Sequence, residues 1–159
     1  MSDYPSISRR QFCAGACQAA SCATLATLVA ACGGDGSSPM SPDGPAASPL
    51  SVVPSQFANS RVTVTVTGTP LANVGGAARV ESNAGLFLIS RTSDTAFTAV
   101  AGDCTHEGCT ITGVAVTEYV CPCHGSRYNL SGQVLAGPAR SSLRQYATTF
   151  ANNVLTISL

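Results

Sequence analysis

Apolar and hydroxyl residues alternate along residues 61–67, where valine and threonine take turns after Arg61. An alternation of period two is typical of a β-strand with one face buried and the other in water. Gly68 and Pro70 follow directly and end the pattern, because both residues favour turns. We therefore expect a half-buried strand at residues 61–67.

Shorter runs of the same kind follow, separated by Gly, Asn and Asp turn signals. They predict strands at residues 77–81, 86–90, 96–101, 110–112, 117–120, 127–130, 146–151 and 154–159. Asn152 and Asn153, between the last two, form the residue pair of a two-residue hairpin turn. No segment after residue 50 sustains a helical period of 3.6. The predicted fold class for residues 51–159 is therefore all-β, a small antiparallel domain.

The first 50 residues have a different pattern, and we expect them to lie outside that domain. Residues 33–50 hold four Gly, four Ser and four Pro, the composition of a flexible linker. Before them, the run from Ser8 to Phe12 contains Arg9 and Arg10 and resembles the twin-arginine signal that exports folded bacterial proteins. Residues 1–32 therefore read as an export signal.

Cys32 closes this first segment. It follows two alanines and resembles the cysteine of a bacterial lipobox, which is lipidated and becomes the mature N-terminus. Export and lipidation together predict a protein tethered on the periplasmic side of a bacterial membrane. The alternative is that residues 12–31 remain as an uncleaved anchor helix, although few of them belong to the residue types that gain most from lipid.

Composition narrows the function classes further. The formal net charge is zero and the chain has no lysine, so it offers no basic surface for nucleic acid. The sequence also contains neither a P-loop nor a dinucleotide-binding glycine motif. Eight cysteines are unusual for a cytosolic protein, which agrees with export.

Half of the cysteines and both histidines of the chain fall in two short loops. In chain order they are Cys104, His106 and Cys109, then Cys121, Cys123 and His124. One cysteine and one histidine from each loop would form a four-ligand site for a soft or borderline metal. The residue types alone leave two sites open, a structural zinc ion or a 2Fe-2S cluster with histidines on one iron.

The strings Cys-Thr-His-Glu-Gly-Cys at 104–109 and Cys-Pro-Cys-His-Gly-Ser at 121–126 resemble the two boxes of the Rieske iron-sulfur proteins. The resemblance covers roughly residues 70–159 and implies one 2Fe-2S cluster at one end of the domain. By this resemblance, Cys104 and Cys121 bind one iron while His106 and His124 bind the other. A disulfide between the remaining two cysteines, Cys109 and Cys123, would tie the loops together.

The resemblance extends to residues around the two boxes. In the family, the residues at the positions of Ser126 and Tyr128 donate hydrogen bonds to sulfur and accompany members of high potential. Donors aimed at sulfur stabilise the negative charge that reduction adds. Gly137 and Pro138 resemble the proline-containing loop that covers the cluster, although Arg140 stands where the family often has a second proline.

These expectations lead to an interpretation of the function. A Rieske oxygenase needs a second, mononuclear iron with its own histidines, and both histidines here are already assigned. We expect a carrier that exchanges one electron at a time with a redox protein partner, a cytochrome or an oxidoreductase subunit, and that is not an enzyme by itself. The alternatives are a Rieske subunit of a cytochrome bc complex or of an arsenite-oxidase-like enzyme, and a zinc-stabilised binding module.

Glu107 bears on which partner the chain serves. Rieske proteins of the bc type commonly have leucine at this position, and their tip docks into an apolar quinol pocket. A carboxylate would lose its water there, at a cost of about a few kcal/mol. We expect Glu107 to provide a negative spot for a cationic partner, and the alternative is an ordinary solvated loop residue.

Overall fold

The structure is a computed structural model and describes residues 46–159. Within that range it has thirteen β-strands and one short 3-10 helix, Pro70–Ala72, which confirms the all-β prediction. The strands are β1 (Ser48–Pro49), β2 (Val52–Val53), β3 (Gln56–Ala58), β4 (Arg61–Thr65), β5 (Ala77–Ser82), β6 (Gly85–Arg91), β7 (Phe97–Ala101), β8 (Gly113–Ala115), β9 (Glu118–Val120), β10 (Arg127–Asn129), β11 (Val134–Ala136), β12 (Gln145–Ala151) and β13 (Val154–Ser158).

Eight strands form a large sheet in the order β2-β5-β6-β7-β12-β13-β4-β3. Strand β4 alternates as predicted, since Val62 and Val64 are buried while Arg61 and Thr65 are exposed. Neighbouring strands of this sheet run antiparallel except the short pair β2 and β5, which is parallel. Its buried side chains form most of the first hydrophobic core, whose members include Val62, Val64, Phe87, Ile89, Phe97, Leu155 and Ile157.

The other five strands form a small antiparallel sheet in the order β1-β8-β9-β10-β11. A second hydrophobic core lies between the two sheets and combines Leu88 and Val100 of the large sheet with Tyr119 and Tyr128 of the small one. Two cysteines from the loops, Cys104 and Cys121, belong to the same core. The packed interior therefore reaches to the base of both loops.

The domain begins earlier than the predicted boundary at residue 51. Ser48 and Pro49 pair with β8, and Leu50 is only 6% exposed. The Leu50 N–H also donates to the Thr112 carbonyl oxygen at 2.7 Å. Residues 48–50 were assigned to the linker because its Pro and Ser content outweighed one apolar residue, yet they belong to the domain.

The strand predicted at residues 110–112 is wrong. Thr110 forms a single isolated bridge with Asp103, and the strand β8 starts only at Gly113. Ile111 is fully buried, so it mimics the alternation of a strand while lying in a loop. Gly113 is closely packed where β8 starts, because a Cβ atom there would lie 3.1 Å from both Ala47 Cβ and the Val120 carbonyl oxygen, which would have to shift.

The predicted export signal at residues 1–32, with the lipidation candidate Cys32, lies outside the described residues. In the part of the chain that the structure describes, no helix has the length and apolar character needed to cross a membrane.

Candidate metal centre

Two loops carry the predicted ligands, and each joins strands that the core holds in place. Loop 1, residues 102–112, connects β7 of the large sheet to β8 of the small sheet. Loop 2, residues 121–126, connects β9 to β10 within the small sheet. The structure brings the two loops side by side, because the Cys109–Cys123 disulfide that the resemblance implied joins them, with Cα atoms 6.5 Å apart.

Both loops have the same backbone hydrogen-bond pattern, counted from their first cysteine. The Cys104 carbonyl accepts from the Gly108 N–H at 2.8 Å, and the Cys104 N–H donates to the Cys109 carbonyl at 2.8 Å. In loop 2, the Cys121 carbonyl accepts from the Gly125 N–H at 3.1 Å, and the Cys121 N–H donates to the Ser126 carbonyl at 2.9 Å. Each first cysteine is thereby held in a closed turn.

A glycine closes each turn. Gly108 has φ of 74° and Gly125 has φ of 71°, in the left-handed region that other residues adopt only with strain. A residue without a side chain is therefore favoured at both positions.

The four predicted ligands form two layers. The sulfur layer is buried, with Cys104 3% and Cys121 1% exposed, and neither cysteine is in a disulfide. The nitrogen layer is open to solvent, with the side chains of His106 and His124 27% and 47% exposed. The two Nδ1 atoms face each other at 3.2 Å, and the rings stand at 90°.

Burial and hydrogen bonding act in opposite directions on the Cys104 thiol. Burial alone would raise its pKa, but hydrogen bonds from Tyr128, the His106 backbone, Cys121 and Ser126 together lower that pKa below its ordinary value. The pKa of Cys121 is raised, mainly by burial and further by the neighbouring Cys104. A second thiolate here is therefore unfavourable unless positive charge lies beside both sulfurs.

Tyr128 contacts the sulfur layer, as the resemblance implied. Its hydroxyl lies 3.2 Å from Cys104 Sγ and 3.0 Å from Thr105 Oγ1, and it accepts a hydrogen bond from the Thr105 N–H at 3.2 Å. The Thr105 hydroxyl donates its own proton to the Ser141 carbonyl at 2.6 Å. Burial, and then Cys104, raise the pKa of Tyr128, so the phenol keeps its proton and can donate it.

Ser126, the last residue of loop 2, and the proline loop, residues 137–139, lie against each other beside the sulfur layer. Ser126 is fully buried, and its Oγ accepts a hydrogen bond from the Ala139 N–H at 3.2 Å, which leaves the hydroxyl proton for Cys104. Gly137 packs directly on loop 2, because a Cβ atom there would lie 2.6 Å from Ser126 Cα. The proline loop therefore lies against loop 2, while Arg140 is exposed at its edge.

Glu107 lies beside the nitrogen layer. Its carboxylate oxygens are 3.9 Å from His106 Nε2 and 3.8 Å from His124 Nδ1, and its side chain is 61% exposed. Two imidazoles and a carboxylate this close are also donors that a zinc ion accepts.

The arrangement of donors argues against a single ion bound by the four predicted ligands. Ligands of one tetrahedral zinc lie about 4 Å or less from one another. Among the described residues, no group of three or more potential ligands within 4.8 Å combines a histidine with Cys104 or Cys121. The donors are divided instead into a sulfur side and a nitrogen side.

Comparison with known families decides what this division means. The family model of the Rieske [2Fe-2S] domain matches residues 51–147, more than half of the chain. The chain belongs to the Rieske family. Its cofactor is one 2Fe-2S cluster, and the donors fit that group, since two unlike irons need two separate donor pairs.

Several characterised Rieske proteins are similar to this chain. A cytochrome b6-f complex iron-sulfur subunit of Chlorobaculum thiosulfatiphilum is 42% identical over 64 residues, which are 40% of this chain and 35% of that protein. The corresponding subunit of Prochlorococcus marinus is 54% identical over 41 residues, 25% of this chain and 23% of that protein. The matched part is thus about a third or less of these relatives' length.

A solved structure of the Rieske family is similar as well. The plasma membrane Rieske protein PetC3 from Synechocystis PCC 6803 is 30% identical, and the alignment covers 52% of this chain and 86% of that one with a TM-score of 0.48.

Thr105 is the site residue that sequence reasoning missed. It lies between two predicted ligands, and its side chain links Tyr128 to the backbone at Ser141. Its position inside the first box was the only available signal, because the contact with Ser141 spans 36 residues of sequence.

Proposed function

We propose that this Rieske protein carries one electron at a time between protein partners. Cys104 and Cys121 would bind the inner iron of the cluster, and His106 and His124 the outer one. The observation that carries this assignment is the division of the donors into two buried thiols and two partly exposed imidazoles whose Nδ1 atoms face each other at 3.2 Å. When bound, the cluster supplies a centre that accepts and releases a single electron.

The burial of the ligand residues determines from which side a partner can exchange electrons with the cluster. The inner ligands are buried as members of the hydrophobic core between the sheets, which keeps water from the sulfur atoms. The imidazole edges of His106 and His124 reach solvent, so they are the point of closest approach for a partner.

The hydrogen-bond donors favour a high reduction potential. Tyr128 and Ser126 both act on the Cys104 sulfur, and the single Tyr128 proton is shared between that sulfur and Thr105 Oγ1, because Thr105 gives its own proton to Ser141. Such donors stabilise the more negative, reduced state.

We also propose that the protein works on the periplasmic side of a bacterial membrane. The support is the twin-arginine-like run with Arg9 and Arg10, followed by the lipobox-like Cys32. Twin-arginine export moves folded proteins, so a cluster inserted in the cytoplasm would travel inside its domain. Lipid on Cys32 would tether the domain.

A subunit of a larger complex is the second candidate function, favoured by the cytochrome b6-f iron-sulfur subunits among the relatives. The exposed carboxylate of Glu107 beside the imidazoles disfavours docking into an apolar quinol pocket, because burying it without a partner is costly. A free carrier for a cationic redox protein is therefore the first candidate.

Metal analysis and a redox titration of the purified protein test the proposal. We expect equal amounts of iron and acid-labile sulfide, two of each per chain, and a visible spectrum that bleaches in one reversible one-electron step. Stoichiometric zinc without sulfide would overturn it in favour of the zinc-stabilised module. Quinol oxidation blocked by inhibitors of the bc quinol site would favour the subunit.

A further inference from the structure

The surface around the exposed imidazoles is charged on one side and uncharged on the other. We name it the redox face and define it by residues 105–108, 122–125 and 135–138. Loop 1 contributes the carboxylate of Glu107. Residues 122–125 and 135–138 are all exposed and contain no charged side chain. One half of the redox face is thus acidic and the other half is uncharged.

A β-bulge lies at the edge of the uncharged half. In the pairing of β10 with β11, Arg127 is opposite Ala136 while Tyr128 is opposite Val134, so Leu135 is an extra residue without a partner across the ladder. Bulges re-aim side chains and are common beside functional sites. The leucine at this bulge is 51% exposed.

The bulge is fixed close to loop 2. Gly137 packs on the backbone of Ser126, and Ala136 pairs with Arg127, the residue that follows loop 2. Two residues along a strand span about 7 Å, so Leu135 lies near the proline loop and the second histidine box.

Other large apolar residues are exposed as well, and single ones are normal on a protein surface. In the described part of the chain they are Val52, Phe57, Val74, Val116, Val154 and Leu159. Val116 is 82% exposed in the turn between β8 and β9, at the end of β9 remote from Cys121. Leu135 differs from these in combining exposure with a bulge two residues before Gly137, which packs on loop 2.

We propose that Leu135 is the apolar anchor with which the chain seats a protein redox partner, one that presents an apolar spot next to a cation facing Glu107. The inference rests on the proposed function and adds the chemistry of the partner. Electron transfer slows steeply with distance, so a partner must cover the imidazole edges. A partner surface that covers them and the exposed Pro138 also reaches Leu135, and an apolar residue at the centre of a desolvated contact contributes most to binding.

Stopped-flow oxidation of the reduced protein by a soluble cationic c-type cytochrome tests this anchor. Leu135→Ser should lower the second-order rate about fivefold at every ionic strength, because the lost contact is apolar and salt does not screen it. Leu135→Met should keep the wild-type rate. Val116→Ser, which removes an even more exposed apolar side chain from the turn between β8 and β9, is the matched control and should change nothing.

Oxidation by ferricyanide, which needs no docking surface, tests electron transfer by the cluster separately from the role of Leu135. We expect all four proteins to react with it at the same rate. A wild-type protein that reduces neither oxidant would overturn the proposed function. Normal ferricyanide rates with equal cytochrome rates in wild type and Leu135→Ser, or an equal loss in Val116→Ser, would overturn the anchor alone.

Discussion

Tyr128 serves two neighbours with one hydroxyl proton. It accepts from the Thr105 N–H, and its own proton is shared between Cys104 Sγ at 3.2 Å and Thr105 Oγ1 at 3.0 Å. The side chain is fully buried, so no water can replace it. At the scale of the residue, the hydroxyl donors that tune the Cys104 sulfur are therefore Tyr128 and Ser126, beside the His106 backbone and Cys121.

Tyr128→Phe should lower the midpoint potential by about 20 to 60 mV while leaving the cluster assembled. One net hydrogen bond contributes about 0.5 to 1.5 kcal/mol, and the reduced state loses that stabilisation. Protein-film voltammetry measures the shift. Tyr146→Phe, a change in the large sheet away from the loops, is the control, and an unchanged or higher midpoint in Tyr128→Phe would contradict the donor role.

At the scale of the element, the two loops depend on each other through their disulfide. Cys109 and Cys123 are 14 residues apart in sequence, and their bond joins loops that begin from different sheets. Each loop is closed on its own by backbone bonds from its first cysteine, but only the disulfide holds one loop against the other by a covalent link.

Replacing both disulfide cysteines by serine should lower the free energy of unfolding by about 3 kcal/mol, the entropy of closing a loop of this length. The cluster should also be lost faster to a chelator, which the decay of the visible spectrum records. Adding a reductant to wild-type protein is the parallel control. An unaltered cluster lifetime in the double variant would show that the loops hold together without the bond.

A buried row of hydroxyl groups joins the two sheets. Ser90 Oγ lies 2.6 Å from Thr98 Oγ1, and the Thr98 hydroxyl donates to the Leu130 carbonyl of the small sheet at 2.9 Å. The Tyr119 hydroxyl of the small sheet faces Ser90 of the large sheet, but it forms no complete hydrogen bond among the described residues. The row fixes the small sheet on the large one.

Ser90→Ala should lower the free energy of unfolding by about 1 to 2 kcal/mol, because the partly buried Thr98 hydroxyl and the buried Tyr119 hydroxyl lose a polar neighbour. Denaturant unfolding measures this change. Ser158→Ala, at an exposed position in β13, should cost almost nothing. Equal stability of the two variants would mean that the hydroxyl row does not join the sheets.

Sequence patterns predicted the longer strands because their alternation is regular, as in β4 with its buried Val62 and Val64. They missed β1, β2, β3, β8 and β11, strands of two or three residues that are too short to show a regular alternation, although β9 and β10 of similar length lie within predicted runs. Residue 111 shows the opposite error, because a buried isoleucine in a loop looks like part of a strand. The ligand positions were predicted only through the family motifs, since their convergence depends on contacts far apart in sequence.

At the scale of the whole molecule, charge and apolar surface meet at one end. Glu107 lies beside the imidazoles with 61% of its side chain exposed, where its negative charge would attract a cationic partner. We expect electron transfer to a cationic cytochrome to slow as salt rises, because salt screens this attraction.

Glu107→Leu should weaken that salt dependence and Glu107→Asp should retain it. Rates over a series of ionic strengths measure the slope. Rates that do not respond to salt in the wild-type protein would instead favour a fixed place in a complex.

Low-temperature EPR of the reduced protein tests the central claim most directly, that two histidines and two cysteines of these loops hold a Rieske cluster. We predict the anisotropic signal of a histidine-ligated 2Fe-2S centre in wild type and in Glu107→Gln, and its loss in both His106→Ala and His124→Ala, since the chain has no third histidine. A signal of unchanged shape in either histidine variant, or a wild-type protein that is silent and contains zinc, would contradict the account.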